Sequence, residues 1–129
     1  MKGLFLSALL LFCFNVQGGE SENRSYDLAV AATSTGAQTG VQLLGEGKTF
    51  QARGTTSAGA GAVTVDIEAN NFAVGASDGD WVVLCTISLT LSTTTSSDGC
   101  VSEGQWRYVR ANVKSISGTD ASVDVKAAR

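Results

Sequence analysis

The stretch VTVDIE, from Val63 to Glu68, carries the clearest structural pattern in the sequence. Apolar and polar side chains alternate through it without interruption. Because successive side chains of a β-strand point to opposite faces of the sheet, the pattern predicts a strand with one buried face and one face in solvent. Asp66 and Glu68 lie on the predicted solvent face. Two carboxylates from one strand are not the arrangement of a glycosidase active site, where the acids flank the substrate.

Short segments of the same kind extend from this stretch in both directions and are separated by residues that favour turns. We predict the other strands at residues 26–32, 41–44, 49–56, 81–91, 105–116 and 121–127. Residues 57–61 are predicted to form a small-residue loop, and Asp98-Gly99 a turn. About seven short strands at this spacing predict an all-β fold, an antiparallel β-sandwich of the Ig-like or jelly-roll-like type.

The strand at residues 81–91 has an unusual pattern. Its odd-numbered residues are apolar throughout, which predicts that Trp81 belongs to the core. Its even-numbered residues are apolar only at the start, at Val82 and Leu84. We therefore expect that end of the strand to be covered on both faces.

The composition excludes several classes of function. The sequence has 129 residues, enough for one domain, which we place at residues 20–129, and it contains neither histidine nor proline. Without histidine, no imidazole can serve as a catalytic base or a metal ligand. Aromatic residues make up 7%, too few for a deep aromatic-lined enzyme pocket. The net charge is −3 and the basic residues form no run, so nucleic acid is not an expected partner. We expect no enzymatic activity, cofactor or metal.

Residues 1–19 form a hydrophobic leader. Lys2 precedes an apolar stretch at residues 3–16, and small and polar residues follow it, as in a secretory signal peptide. The stretch is shorter than the roughly 20 apolar residues of a transmembrane helix. We expect a cleaved signal peptide and no stable membrane span after its removal. The alternatives are an uncleaved hydrophobic anchor, an uncleaved arm used in assembly, and a start codon upstream of the true beginning.

The sequence has three cysteines, and one of them, Cys13, lies in the leader. Removal of the leader leaves Cys85 and Cys100, an even number that suits an oxidising compartment. If the strand at residues 81–91 and the strand after it form a hairpin folded about residues 92–93, the two cysteines lie opposite each other. They then either form a disulfide across the hairpin or remain separate buried thiols, with a metal or redox role as a third alternative.

Trp106, Tyr108 and Arg110 share one face of the strand at residues 105–116 and form the candidate contact surface. Aromatic rings stack on sugars and arginine adds hydrogen bonds, so this face is a candidate carbohydrate platform. The alternative is an ordinary sheet surface or a subunit contact. Asp78 and Asp80 flank a glycine and carry oxygen ligands suited to calcium, but two carboxylates are too few for a full coordination set, which favours a plain turn.

A series of short segments spread over residues 28–126 matches a known family in order. The segments are residues 48–52 (KTFQA), 54–62 (GTTSAGAGA), Val65 with Ile67, 78–79 (DG) before Trp81, 86–91 (TISLTL), 97–99 (SDG), 106–113 (WRYVRANV) and 116–119 (ISGT). Together they resemble small virion structural proteins of tailed bacteriophages, the β-sandwich proteins of capsid decoration, head fibres and tails. The leader, Cys85 and Cys100 lie outside the resemblance.

The resemblance implies a non-enzymatic structural protein located in the virion. Its implied partners are its own copies, as a homo-oligomer such as a trimer, and capsid or tail proteins. A functional signal peptide would instead place the protein outside the cell or in the periplasm. That location fits the alternative function, a secreted adhesin or carbohydrate-binding module.

Overall fold

The computed structural model describes residues 24–129, which form a sandwich of two antiparallel β-sheets. The predicted fold class is confirmed. The predicted leader at residues 1–19, with Cys13, lies outside the described residues. The strands are β1 (Ser25–Ala32), β2 (Gly36–Ala37), β3 (Val41–Gln42), β4 (Lys48–Thr55), β5 (Ala58–Asn70), β6 (Val82–Leu91), β7 (Ser96–Ser102), β8 (Tyr108–Thr119) and β9 (Ser122–Ala128).

The chain passes repeatedly from one sheet to the other. Sheet A has the strand order β1-β9-β4-β7, and sheet B has the order β2-β8-β5-β6, with β3 also paired to β8. The chain stays in sheet B from β2 to β3 and from β5 to β6, and every other connection between consecutive strands crosses from one sheet to the other. A single 3-10 turn (Asp78–Asp80) precedes β6, and no helix within residues 24–129 is long and apolar enough to cross a membrane.

The core lies between the sheets and is aliphatic. As the alternation predicted, Val63, Val65 and Ile67 of β5 are buried, and they face the inward side chains of sheet A across the sandwich. Phe50 and Ala52 of β4 contribute from that side. Burial of apolar surface between the layers stabilises the domain, at roughly 25 cal/mol per Å².

Two predicted turns are wrong, because their glycines mark close backbone contacts inside strands. Residues 58–61 belong to β5, where a Cβ on Gly61 would collide with the carbonyl oxygen of Ser117 on β8. Gly99 lies in β7 opposite Gln51, and a Cβ there would stand 2.6 Å from the carbonyl oxygen of Phe50. Glycine inside a strand permits such an approach, which the sequence pattern alone does not separate from a turn.

The sandwich has two distinct ends. Because β4 turns directly into β5, the start of β4 and the finish of β5 lie at the same end of the sandwich. Strand pairing brings to that end Ser25, Ser102, Tyr108 and Ala128. The opposite end carries the turns rich in serine and threonine, at residues 33–35, 56–57 and 92–95.

Candidate functional site

An ion cluster is buried on the outer face of sheet B. The Arg110 guanidinium donates from Nε to Glu68 at 2.6 Å and from Nη1 to Asp78 at 3.0 Å. Asn112 donates from Nδ2 to the other oxygen of Glu68 at 2.9 Å. The Arg110 and Glu68 side chains are 8% and 9% exposed, whereas the Asp78 side chain is 88% exposed. The cluster therefore combines one buried pair with one bond that reaches solvent.

The cluster corrects the prediction that the polar face of β5 is fully solvated. Glu68 is buried because the chain between β5 and β6, residues 71–81, folds back over this face of sheet B. Asp66 remains partly exposed and accepts a hydrogen bond from the Thr86 hydroxyl at 2.6 Å. The two carboxylates thus have separate partners and do not converge on a common space.

Trp81 is buried, but it lies outside the main core. Its ring stacks on the Arg110 guanidinium at 4.4 Å from the ring centroid, and its indole nitrogen donates to the Ala76 carbonyl at 3.1 Å. Arg110 alternates with inward-facing Val109 and Ala111, so Trp81 covers the outer face of sheet B. A cation over an indole face is stabilised by the ring quadrupole, more strongly where water is excluded.

A β-bulge explains why the pattern of β6 misplaced Trp81. Ile67 pairs with Cys85, yet the next residue, Glu68, pairs with Val83, so Leu84 is the extra residue of the bulge. The bulge reverses the face of the sheet to which each side chain before it in β6 points. The two valines that begin β6 are about half exposed, so the expectation that this end is covered on both faces is wrong.

The three residues predicted as a contact surface have different environments. Arg110 donates from Nε and Nη1 within the ion cluster and its side chain is buried, so its guanidinium is not presented at the surface. Tyr108 is half-buried with the Arg107 guanidinium 5.6 Å from its ring centroid, and Trp106 is half-buried against the core. The structure does not combine them into one exposed platform. The signal that separates Arg110 from a surface arginine is Glu68, its direct neighbour on β5.

Lys48 is a buried cation that the sequence pattern did not single out. It occupies the first inward-facing position of β4, and its ammonium donates to the carbonyl oxygens of Gly45 and Gly104. Burial lowers the pKa of Lys48 below its usual value, and the nearby charge of Arg129 lowers it further. The carboxylate of Glu46 acts in the opposite direction.

Within residues 24–129, no group of three or more Cys, Asp or Glu side chains has the arrangement of a metal site. Asp78 and Asp80 lie in the 3-10 turn before β6, where Asp78 accepts a hydrogen bond from Arg110.

The Cys85–Cys100 disulfide joins the two sheets, with the Cα atoms 6.6 Å apart. The predicted hairpin geometry is wrong, because β6 is the edge strand of sheet B and β7 is the edge strand of sheet A. The bond therefore links the two edge strands on one side of the sandwich. Their outer edges still have unpaired backbone groups, which can pair with further strands.

Six exposed large apolar side chains lie towards one end of the sandwich, the end at which β1 begins, with Val83 on the outer face of sheet B and Val101 on the outer face of sheet A. We call the group the apolar end; its members are Leu44, Phe72, Val74, Val82, Val83 and Val101. Phe72 and Val101 are 79% and 72% exposed. Val30, near the middle of β1, is the remaining exposed large apolar residue of the described chain. Scattered exposed apolar residues are ordinary, but a concentration of them marks an interaction site.

The loop that presents Phe72 is held in place by hydrogen bonds. The Asn70 side-chain oxygen accepts the backbone N–H groups of Phe72 and Ala73 at 2.8 and 3.0 Å. The Asn71 side-chain oxygen accepts the N–H of Arg107 at 2.9 Å. Phe72 is therefore presented by a loop held through Asn70, the last residue of β5, and Asn71, the first residue after it. The sequence signal for this was the Asn-Asn pair before an aromatic residue.

Comparison with protein-family models, curated proteins and solved structures finds no match to this chain.

Proposed function

We propose that the chain is a non-enzymatic structural protein of a virus particle, acting as a capsid decoration, head-fibre or tail component. Its contacts with copies of itself and with other particle proteins are made through the apolar end. The observation that carries this proposal is the concentration of exposed Leu44, Phe72, Val74 and the β6 valines at one end of a disulfide-closed sandwich. The resemblance to tailed-phage virion proteins supports the choice of assembly.

Two features support contact at this end. Val83 and Val101 belong to the free edge strands β6 and β7, so a partner can combine apolar contact with backbone hydrogen bonds. The ten residues of β6 include no charged side chain, and charges are a common device that protects edge strands from association. A symmetric oligomer, such as a trimer, would bury this end repeatedly.

Sedimentation velocity tests the proposal on a chain that begins at Glu20, because both sheets, the core and the disulfide are complete within the described residues. We expect a defined oligomer whose population rises with protein concentration. Val83→Lys places a charge on the outer face of β6, and Phe72→Ser removes the most exposed aromatic ring. Each variant is expected to shift the distribution to the monomer.

Val30→Lys is the matched control, since it introduces the same charge at an exposed valine of an edge strand on the opposite side. It is expected to leave the oligomer intact. A wild-type chain that stays monomeric both alone and with candidate particle proteins would overturn the proposal. Equal effects of Val30→Lys and Val83→Lys would overturn the assignment of the surface.

A further inference from the structure

A groove lies on the outer face of sheet A, beside Val101 of the apolar end. It has a volume of about 600 Å³ and is lined by residues 49–51 of β4 and 97–101 of β7. Gly99 pairs with Gln51, whose exposed side chain alternates with buried neighbours, so this pair lies on the outer face. Because glycine has no side chain, the face has a gap at this position. We call the gap and its walls the Gly99 groove.

Phe72 is an exposed aromatic side chain on the other side of the sandwich. It belongs to the segment that folds over the outer face of sheet B, and it is 79% exposed, so it does not occupy the groove of its own chain. The backbone of its loop is held by hydrogen bonds to the side chains of Asn70 and Asn71, so little backbone freedom is lost when the ring is bound. Aromatic rings that fill a pocket are common anchors of protein–protein interfaces.

The charged side chains beside the ring and beside the groove have opposite signs. The backbone N–H of Arg107 donates to the Asn71 side chain, which places this exposed cation next to the loop of Phe72. Asp98 is exposed at the border of the Gly99 groove. Neither Arg107 nor Asp98 forms an ion pair with another side chain of residues 24–129. Contact between two loops or two grooves brings like charges together, whereas contact between a loop and a groove brings opposite charges together.

We propose that copies of the chain associate head to tail, with Phe72 of one copy inserted in the Gly99 groove of the next. The inference rests on the proposed function, because it names the contact through which the apolar end joins copies of the chain. The contact buries the ring against Val101 and brings Arg107 of one copy near Asp98 of the next. The first copy keeps a free groove and the second a free ring, so the contact repeats until a ring of copies closes, as in a trimer, or a filament forms.

Photo-crosslinking tests the contact directly, on the same chain beginning at Glu20 that is used for sedimentation. Phe72→p-benzoylphenylalanine places the photoreactive group on the ring itself. Chains with light and with heavy nitrogen are mixed, irradiated and digested for mass spectrometry. We expect products between light and heavy chains that join position 72 to residues 49–51 or 97–101.

Complementation between two variants tests the head-to-tail order. Phe72→Ser removes the ring and leaves the groove, whereas Val101→Lys places a charge at the wall of the groove and leaves the ring. Each variant alone is expected to lose the oligomer in sedimentation velocity, while the wild type forms a species larger than a dimer. A concentrated equimolar mixture of the two variants is expected to form a complex of one chain of each, which cannot grow further. Val30→Lys, at the exposed valine of the other edge strand of sheet A, is the matched control and should assemble like the wild type.

Several results would overturn the head-to-tail contact and leave the proposed function in place. A wild-type oligomer that stops at two copies would show a two-fold contact, and an oligomer that survives Val101→Lys would not use the groove. Cross-links within one chain, or to another surface of the second copy, would place the ring elsewhere, and a mixture of the two variants that stays monomeric would exclude the order. A wild-type chain that is monomeric alone but binds a particle protein would overturn this inference only, whereas one that is monomeric under both conditions would overturn the proposed function as well.

Discussion

Replacement of Arg110 by methionine is expected to destabilise the domain strongly, because it leaves a buried carboxylate without its cation. Glu68 would keep only the hydrogen bond from Asn112, while its side chain stays about nine-tenths buried. Breaking one partner of a buried ion pair costs about 3–5 kcal/mol. Loss of the stack on Trp81 adds to the same substitution, since the guanidinium lies 4.4 Å from the ring centroid.

The comparison variants separate the buried pair from the exposed one. Asp78→Asn removes the charge of an 88% exposed carboxylate but keeps an oxygen that can accept from Arg110, and we expect it to cost about 1 kcal/mol or less. The double variant Glu68→Met and Arg110→Met replaces both charges by apolar groups, and it is expected to be more stable than Arg110→Met alone. That result would show that the isolated charge, more than the lost bond, causes the destabilisation.

Urea denaturation followed by circular dichroism gives the magnitudes. For a domain of this size, with an m-value of about 1.5 kcal/mol per M, a loss of 3 kcal/mol lowers the midpoint by about 2 M. The reasoning is refuted if Arg110→Met and Asp78→Asn have similar midpoints. It is equally refuted if the double variant loses the sum of the two single effects, because the two charges would then act independently.

Three further measurements test other parts of the structure. Burial lowers the pKa of Lys48 from 10.5, so at alkaline pH the unfolded chain binds more protons than the folded one. The free energy of unfolding should therefore rise with pH between the lowered pKa and 10.5, relative to that of Lys48→Met. Parallel pH curves for the two proteins would contradict this. Replacing Cys85 and Cys100 by alanine opens a loop of 15 residues and should cost about 3 kcal/mol in urea denaturation; an unchanged midpoint would contradict a closed bond. Gly54→Ala should lower the melting temperature, because its Cβ would stand 2.8 Å from a leucine methyl and 2.9 Å from a backbone oxygen, whereas Gly75→Ala has open space and should not.

The sequence allowed the fold class to be predicted because the determining pattern is local. Alternation from Val63 to Glu68 needs no knowledge of neighbouring strands, and the inward residues it selects are buried. The two cysteines were also recognisable as a pair. Their placement on separate sheets was not, because a short loop of serine and threonine can either close a hairpin or cross a sandwich.

The buried ion cluster could not be predicted because it depends on two structural features that the sequence of a single strand does not show. The bulge at Leu84 exists only relative to the register of β5, and it alone places Trp81 over the outer face of sheet B. The burial of Glu68 requires the residues before β6 to fold back on that face. Polar residues alternating with apolar ones predict a solvated surface, and the covering segment overrides that pattern.

The same bulge connects the stability of the domain to its exposed surface. By reversing the parity of β6 before Cys85, it turns Trp81 towards Arg110 and places Val83 on the outer face, where it is about half exposed. Without the extra residue, Val83 would point into the sandwich and Trp81 would leave the cation it covers. The bulge therefore has more than a local effect, because the Trp81 contact that it allows anchors residues 71–81 to sheet B. Those residues include Phe72 and Val74, so the contacts of Trp81 and Asp78 with Arg110 also hold the segment that carries part of the apolar end.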